Sequence, residues 1–488
     1  MAVAPIDRTR AARPAGPGTT PETGALERLG VRFTNWAERW FPDAFIFVAI
    51  AVVIVALGAL ANGASAPAVA KSFGDGFWSL IPFTMQMAFV TIGGYVVAVS
   101  PPVQALIERM AQIPRTGRGA VGFVAGATMI SSFLSWGLSL IFGGLLVRAL
   151  ARRTDLRMDY RAAGAAAYLG LGATWALGLS SSAAQLQANP ASLTKNLLAI
   201  SGVIPFSETI FLWQSMLVAA VLFVVSVLIA YASAPRRETA VTAESLGVDV
   251  ARETNDLPPA RQPGEWLEHS PILTLLLVLI AGGWIVQEFA RQSWIVAISN
   301  LNTYNLLFIT LGLLLHWRPK RFLLAVAKSV PATAGILIQY PLYAAISGML
   351  TGPKNAAGTS ASDAITHAFV SLNTTGSFPL TMGVYSAILG FFVPSGGGKW
   401  LLEAPYVLQA ANELKVHLGW AVMIYNAAEA LPNLINPFWM LPLVGILGLK
   451  ARDIVGFSFL QLLVHLPLVL FLLWALAFTL TYHPPVMP

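Results

Sequence analysis

Long segments without charged side chains follow one another along most of the chain, and most of the polar segments between them are short. Each of nine such segments can contain the roughly 20 residues that a membrane-spanning helix needs. They cover residues 44–70, 76–107, 119–147, 162–194, 209–235, 270–287, 292–317, 329–353 and 454–488. The pattern predicts an all-α polytopic membrane protein.

Two longer polar stretches divide the chain. Residues 1–42 are rich in Pro, Gly, Thr and Arg and lack the apolar core of a signal peptide. We predict a cytoplasmic tail there, with a short amphipathic piece at 26–40. Residues 234–270 carry seven acidic residues, four Arg and several Pro, which is typical of a soluble cytoplasmic linker. The membrane part therefore falls into two portions, 43–233 and 271–488.

Two apolar segments do not fit a single straight span. Residues 119–147 would form a helix about 43 Å long at 1.5 Å per residue, against a hydrocarbon core of about 30 Å. The sequence SWG weakens this helix near its middle. Residues 381–412 are interrupted by VPSGGGKW, in which Pro394 and three glycines cannot continue a helix. Either segment is a tilted, kinked span or a re-entrant hairpin, and we expect hairpins at 119–150 and 381–413.

The distribution of Lys and Arg favours hairpins over spans. With the N-terminus inside, two hairpins and about nine transmembrane helices, 24 of the 30 Lys and Arg residues fall on the cytoplasmic side. If residues 119–147 crossed instead, five Arg residues between Arg148 and Arg161 would lie outside, against the positive-inside rule. The first hairpin is then expected to enter from the cytoplasm and the second from outside.

The two membrane portions repeat the same order of features. FTMQMAFVTIGGYVVA, which starts at Phe83, resembles GILIQYPLYAAISGML, which starts at Gly335. Each is followed by a less apolar stretch, a broken hairpin and a long apolar segment with a polar interruption, at 174–190 and 428–442. The chain between Phe83 and Gly335 would cross an odd number of times, so we expect the second copy to be inverted. Inverted repeats with broken helices are typical of secondary transporters.

The composition excludes several other classes of protein. Apolar residues make up 56% of the 488 residues and charged residues 11%, whereas a soluble domain has about 25% charge. The net charge of +7 is read as membrane topology, and no nucleic-acid partner is expected. Because the chain has no Cys and its six His are scattered, we expect no disulfide, no metal site of the His or Cys type and no cofactor.

The hairpin tips and the interruptions are expected to converge, because irregular backbone at membrane depth must be buried in protein or line a wet cavity. Half-helix N-termini suit a carboxylate, and loose carbonyls suit Na⁺. For the serines at 180–182 the alternative is close helix packing, and for 395–398 it is a simple tight turn. The predicted substrate-binding residues are Ser135, Trp136, Gly137, Ser180, Ser181, Ser182, Ser395, Gly396, Gly397, Gly398, Lys399, Asn433 and Asn436.

Three charged residues lie within these apolar segments. Lys399 and Glu403 are four residues apart and would face each other on one helix turn. They form either a self-neutralising pair or a functional one, in which Lys399 attracts the substrate anion and Glu403 orients it or carries a proton. Glu429 is a lone acid, and intramembrane carboxylates are usually functional. We expect Glu429 to act in ion coupling or to pair with Lys399.

Four motifs are similar to those of a known family. They are DGFWSL at 75–80, VPSGGGKW at 393–400, AEALPNLINPFWMLP at 428–442 and GLKARDIVGF at 448–457. Together they resemble the bacterial short-chain fatty acid transporter family, and the similarity covers roughly residues 30–482. That family is grouped with the ion transporter superfamily of sodium- or proton-coupled carboxylate symporters.

The resemblance implies an elevator-type transporter in the bacterial cytoplasmic (inner) membrane, assembled as a homodimer. Each protomer would have a mobile transport domain that carries both hairpins (119–233 and 381–482) and a scaffold (40–100 and 271–350). The chain departs from the family pattern at three positions. Ser135 stands where the family has Asn, and Lys399 and Glu403 stand where His and Gln are expected. Because this charged pair replaces a neutral pair near the predicted site, it affects which substrate and which coupling ion the resemblance implies.

These features predict secondary transport rather than catalysis. The leading hypothesis is uptake of short-chain fatty acids or related monocarboxylates, of the butyrate and acetoacetate class, by symport with H⁺ or Na⁺. The proton is slightly favoured, because an acid lies beside each element of the predicted site. The alternatives are symport of a dicarboxylate or hydroxy acid, a passive anion channel, and an intramembrane hydrolase in which Lys399 activates Ser395. The expected partners are the carboxylate, membrane lipid and a second copy of the chain.

Overall fold

The structure is a computed structural model that describes residue 39 and residues 44–487, except 252–256, 258 and 394. The described residues form helices joined by turns and contain no β-strand, so the predicted all-α class is confirmed. The predicted amphipathic piece at 26–40, apart from residue 39, and the helix-breaking Pro394 lie outside the described residues.

Ten α-helices make up the described part of the first half. They are α1 (Ala44–Ala61), α2 (Ala66–Ser79), α3 (Ile81–Ala98), α4 (Pro101–Met110), α5 (Gly117–Leu134), α6 (Trp136–Ala151), α7 (Tyr160–Leu169), α8 (Ser182–Ala188), α9 (Lys195–Ser201) and α10 (Trp213–Ser233). Between α7 and α8 the helix widens to a π turn at Gly170–Thr174 and then tightens to a 3₁₀ turn at Trp175–Leu177.

The second half follows the same order of long helices, hairpin and interrupted helix. Its helices are α11 (Glu265–His269), α12 (Ile272–Arg291), α13 (Trp294–Ser299), α14 (Leu301–His316), α15 (Pro319–Ser329), α16 (Ala334–Thr351), α17 (Ala361–Leu372), α18 (Phe378–Phe392), α19 (Gly396–Glu413), α20 (Leu418–Asn433), α21 (Pro437–Leu447) and α22 (Ala451–Ala477). The α3 and α16 helices, which contain the repeated sequences, are both 18 residues long.

Local sequence signals explain where several of these helices begin. The side chain of Thr116 accepts a hydrogen bond from Gly119 N at the start of α5, and Asp159 caps α7 in the same way. Ser360 and Asp363 form a reciprocal capping box at the start of α17. Proline occupies the first turn of α2, α3, α4, α15 and α18, where its missing N–H costs nothing.

Six helical stretches of the described chain are long and apolar enough to cross a membrane, which makes this a multi-pass membrane protein. They are Ile81–Ala98, Tyr160–Ala188, Trp213–Ser233, Ile272–Arg291, Pro319–Thr351 and Ala451–Ala477. The α12 helix shows the lipid-facing character most clearly, since Leu279 and Ile280 are both more than 70% exposed in the isolated chain. Apolar side chains exposed to this degree are stable when lipid covers them.

The chain reverses direction at two points within apolar sequence. The α5 and α6 helices pack side by side, and Ser139 Oγ on α6 donates to Thr128 O on α5 at 2.7 Å. In the second half, the hydroxyl groups of Tyr385 on α18 and Tyr406 on α19 lie 2.7 Å apart. At the base of this second pair, Thr375 Oγ1 donates to Leu414 O at 2.6 Å. Both pairs are therefore helical hairpins, with breaks at Ser135 and, in the second, between the end of α18 and Ser395.

Part of the segment expected to be a linker is docked on the helices. Val241 N donates to Asp159 Oδ2 at 2.9 Å, and Tyr160 N donates to Val241 O at 2.9 Å. Arg152 donates to Val250 O at 3.3 Å. At the other end of the segment, Glu268 on α11 forms an ion pair with Lys320 at 2.6 Å. Residues 239–251 therefore belong to the folded body, because their backbone groups bond to buried ends of α6 and α7.

Candidate functional site

The break in the first hairpin is bound to the interruption that follows α7. Ser135 has extended backbone angles (φ −158°, ψ 125°) and ends α5. Trp136 N donates to Ser180 Oγ at 2.9 Å, and Leu179 N donates to Phe133 O at 2.8 Å. These bonds satisfy backbone groups that the two broken helices leave unpaired, so the first tip and the first interruption form one unit.

The second tip approaches other elements so closely that its glycines have no room for side chains. A Cβ on Gly396 would lie 1.9 Å from the Trp175 ring, and one on Gly398 would lie 2.1 Å from the Tyr343 ring. A Cβ on Gly397 would lie 2.7 Å from the hydroxyl oxygen of Tyr340. The glycines therefore let the start of α19 pack against the first interruption and against α16 together.

Both tips are capped by serine and faced by a tyrosine. Ser135 Oγ accepts from Leu138 N at 3.4 Å, and Ser395 Oγ accepts from Gly398 N at 3.2 Å. Tyr304 on α14 donates to Leu134 O at 2.8 Å and lies beside Ser135. Tyr340 on α16 lies beside Ser395 and Ser182. The two tips are thus built alike, and each uses a tyrosine from the second half.

The interruption in the second half lies between α20 and α21. Tyr168 donates to Asn433 O at 2.7 Å, which joins this point to the first interruption. Asn433 is buried, and within the described chain neither polar atom of its side chain has a hydrogen-bond partner. Three residues beyond Asn436, the ring of Trp439 lies 6.4 Å from that of Trp136 at the first tip. All four irregular points therefore meet in one region.

A fully buried charge cluster lies one helical turn beyond the second tip. It consists of Lys399, Glu403 and Glu429, none of which has any exposed side-chain surface. Lys399 Nζ lies 3.0 Å from Glu403 Oε1 and 2.8 Å from Glu429 Oε2. It also donates to the carbonyl of Ser386 at 2.8 Å and to its hydroxyl at 2.6 Å. The face of Tyr425 lies 4.4 Å from the same ammonium.

The cluster has one more acid than base. Its formal charge is −1 if all three groups are ionised, and an uncompensated charge in a dry interior is costly. The second oxygens, Glu403 Oε2 and Glu429 Oε1, have no hydrogen-bond partner among the described residues. The contact of Glu429 with Lys399 is close but not aligned as a hydrogen bond. A proton or a small cation on Glu429 would neutralise the cluster.

The predicted site residues divide between these features. Ser135, Trp136, Gly137 and Ser180 lie at the first tip, while Ser182 and the SGGG sequence lie at the second. Ser181 caps α8, and its Oγ accepts from Ala184 N at 3.5 Å. Asn433 and Asn436 lie at the second interruption and are buried. Lys399 points back along its hairpin, where four oxygen acceptors already surround its three N–H groups.

Sequence reasoning missed the aromatic residues that cover the tips and the serine that binds Lys399. The missed residues are Trp175, Tyr304, Tyr340, Tyr343 and Ser386. Trp175 and Tyr340 do carry a signal, since each lies in the middle of a charge-free segment rather than near its end, where interface anchors occur. Within the described ranges, no group of three or more His, Cys, Asp or Glu residues is arranged to hold a metal ion.

Two solved structures share this fold. The MtrF protein of Neisseria gonorrhoeae, described as one of a class of antimetabolite efflux pumps, superposes with a TM-score of 0.57 at 14% identity over 94% of this chain and 100% of its own. The YdaH transporter of Alcanivorax borkumensis superposes with a TM-score of 0.55 at 13% identity over 95% of this chain and 100% of its own. At 13–14% identity, these two likenesses show the fold alone.

The sequence comparisons identify the family. The sequence profile of the short chain fatty acid transporter family matches residues 25–476. An Escherichia coli strain K12 protein, provisionally named a short-chain fatty acid transporter, is 33% identical over 440 residues, which cover 90% of this chain and 97% of that protein. The chain therefore belongs to the short chain fatty acid transporter family. The resemblance inferred from the motifs is confirmed, and the protein is a transporter rather than an enzyme.

Proposed function

We propose that this chain is a secondary active symporter that takes up short-chain monocarboxylates of the butyrate and acetoacetate class together with a proton. The observation that carries the proposal is the buried cluster of Lys399, Glu403 and Glu429, with one acid in excess beside the second tip. A proton-coupled symporter needs a group that is neutral in one step of the cycle and charged in another. Glu429 has that freedom, because its outer oxygen binds no other described group. Na⁺ held by oxygens of the tips and interruptions is the alternative ion.

The site suits an acid with one carboxylate. The starts of α6 and α19 point partial positive charge toward the region where the tips meet. Trp175 covers the second tip and Trp136 lies at the first, which provides apolar surface for a short acyl chain. The nearby cation, Lys399, is neutralised by its own acids. A dicarboxylate would require a further free cation, so we favour a monocarboxylate.

An elevator-like alternation is supported by contacts at the two ends of α14. Just before its first residue, the proposed transport domain touches the scaffold, because Asn189 donates to Ser299 O at 2.9 Å. A second contact joins Asn196 to Thr351 Oγ1, at the end of α16, also at 2.9 Å. At the last residue of α14, His316, a cavity of about 600 Å³ separates the same two parts. We propose that this conformation is closed to the outside and open to the cytoplasm, in a homodimer in the bacterial inner membrane with the N-terminus cytoplasmic.

Uptake of labelled butyrate and acetoacetate into proteoliposomes tests the proposal. A pH gradient and a Na⁺ gradient are imposed separately, with an ionophore-collapsed gradient as control. Accumulation above equilibrium under the pH gradient supports proton symport. Accumulation under the Na⁺ gradient alone would show that Na⁺, and not the proton, is the coupling ion. Equilibration without accumulation under both gradients would make the protein a passive channel, and no uptake of either acid would remove the substrate assignment.

A further inference from the structure

A large cavity lies away from the hairpin tips, between the proposed scaffold and the proposed transport domain. Its volume is about 600 Å³. One wall consists of the ends of α3 and α14 together with α4 and α15, and the opposite wall consists of α6 and α21. Ala251, at the end of the docked residues 239–251, and Leu257 also line it.

The cavity is strongly basic. Among the described residues, four cationic side chains line it, Arg148, Arg152, Arg321 and Lys328, against one lining carboxylate, Glu108. Glu108 forms an ion pair with Arg152, so three of these positive charges have no carboxylate partner among the described residues of the wall. Positive side chains in a concave, partly apolar wall concentrate anions from the adjoining solution.

Two residues of the cavity wall carry buried polar atoms that lack a partner in the described structure. The Nε of Arg321 is buried without a hydrogen-bond partner in the described structure. His316 is 2% exposed and bonds Val96 O through Nε2 at 2.8 Å, while its Nδ1 has no partner in the same part of the chain. Buried polar atoms of this kind are normally paired with a ligand or water. Apolar side chains such as Ile141 and Leu324 lie beside them on the wall.

The cavity reaches toward the first hairpin tip. Ile141, on its wall, follows Trp136 by five residues along α6, or about 7.5 Å at 1.5 Å per residue. Tyr95, also on the wall, follows Gly94, where a Cβ would lie 2.8 Å from Ser135 Oγ. The near end of the cavity wall is therefore about one and a half helical turns from the tip.

We propose that this cavity is a second carboxylate-binding site, an antechamber that holds short-chain carboxylate anions between the cytoplasm and the hairpin tips. Guanidinium groups bind the carboxylate, and the aliphatic wall accepts the acyl chain. The inference rests on the proposed function for the identity of the anion. The cavity is larger than one four-carbon acid, so the site retains anions loosely near the tips.

Direct binding is tested first, on the purified full-length protein in a non-ionic detergent. Lys328 is acylated with an amine-reactive reagent, and its modification is followed by peptide mass spectrometry, with exposed Lys450 outside the cavity as internal reference. Millimolar butyrate is expected to slow acylation of Lys328 several-fold and to leave Lys450 unchanged. Protection by anionic phospholipid but not by butyrate would overturn the proposal, because the ligand would then be a lipid headgroup. Equal protection of both lysines would overturn it as well.

Transport from each face then tests the role of the site. We expect Arg321→Gln combined with Lys328→Gln to raise KM for butyrate about tenfold at the cytoplasmic face, measured with inside-out vesicles at low salt. KM at the outer face, measured with right-side-out vesicles, is expected to stay within twofold. The matched control is Arg236→Gln combined with Arg237→Gln, which removes two exposed charges outside the cavity. Equal KM changes at both faces, or the same change in the control, would contradict the antechamber. If the wild-type protein does not transport butyrate at either face, the proposed function itself is contradicted, rather than the antechamber.

Discussion

At the scale of single residues, Glu429 decides whether transport is coupled. We expect Glu429→Gln to abolish accumulation of butyrate under a pH gradient, since the cluster then keeps one acid and one base at all times. A pH gradient of one unit, coupled to one proton per butyrate, supports about tenfold accumulation of butyrate inside the vesicles. In the variant, the ratio of internal to external butyrate is expected to stay at about one. Exchange of labelled for unlabelled butyrate, which needs no net proton movement, is expected to persist. The accumulation ratio and the exchange rate are measured in the same proteoliposomes.

The control for this prediction is Ser293→Ala, which removes the cap of α13, outside the predicted site, and no charge. It is expected to retain accumulation. Accumulation by Glu429→Gln at the wild-type ratio would show that another group carries the proton, and Glu403→Gln would be the next variant to examine.

Lys399 is expected to act through stability rather than through contact with the substrate. Lys399→Met would leave two fully buried carboxylates without a cation. Removal of one partner from a buried ion pair costs about 3–5 kcal/mol, so we expect a large fall in Tm in detergent. The triple variant Lys399→Met, Glu403→Gln, Glu429→Gln is expected to recover most of this loss. Failure of the triple variant to recover Tm would mean that Lys399 stabilises the fold by packing.

The close approach at the second tip gives a further residue-scale prediction. Gly396→Ala places a methyl group within 2 Å of the Trp175 ring and is expected to reduce uptake at least tenfold, because the tip must move away. Trp175→Phe shortens the ring and is expected to restore part of the uptake in the double variant. Gly282→Ala is the matched control, since nothing lies within 4 Å of its added methyl group. Uptake rates are normalised to the amount of reconstituted protein.

At the scale of elements, relative movement of the two proposed domains can be tested with disulfides, since the chain has no native Cys. Asn196 of the proposed transport domain hydrogen-bonds at 2.9 Å to Thr351, the last residue of α16, which directly follows the proposed scaffold segment 271–350. We expect oxidation of the pair Asn196→Cys, Thr351→Cys to stop uptake and reduction to restore it. The control pair is Gln86→Cys, Asn302→Cys, which also hydrogen-bond at 2.9 Å but lie within the scaffold.

This control pair is expected to stay active when oxidised. Full uptake by the oxidised Asn196/Thr351 pair, with cross-linking verified by mass spectrometry, would contradict a sliding interface. If oxidation stopped uptake by both double-cysteine variants, transport would require movement within the scaffold as well as at the interface between the domains.

The positions of these elements were largely visible in the sequence, and their contacts were not. Ser135 and the SGGG sequence interrupt charge-free segments, and the structure breaks its helices at those residues because they disfavour continuation of a helix. Lys399 with Glu403 was visible as an i, i+4 pair. The choice of Glu429 as a second partner of Lys399 depends on how α20 packs against the hairpin, which spacing within one helix cannot give. The same reason hid Ser386 and the tyrosines that cover the tips.

At the scale of the whole molecule, the two halves hold each other through extensive packing. The α2 helix packs along α16, α3 along α14 and α10 along α22. The segment between the halves is docked on each side by contacts such as Val241 with Asp159 and Glu268 with Lys320. Each of these polar contacts joins residues of the same half. A cut between residues 251 and 259 would therefore break none of them.

We accordingly expect residues 1–251 and 259–488, coexpressed as two chains, to assemble and transport butyrate at no less than about half the uncut rate, since buried apolar contacts persist across the cut. Copurification through a tag on one fragment and uptake in proteoliposomes measure assembly and function separately. Each fragment expressed alone is the control and is expected to be inactive, because both hairpin tips are needed to complete the site. Copurified fragments without uptake would show that the continuous segment takes part in the transport cycle. Fragments that do not copurify would show that chain continuity, rather than packing, holds the halves together.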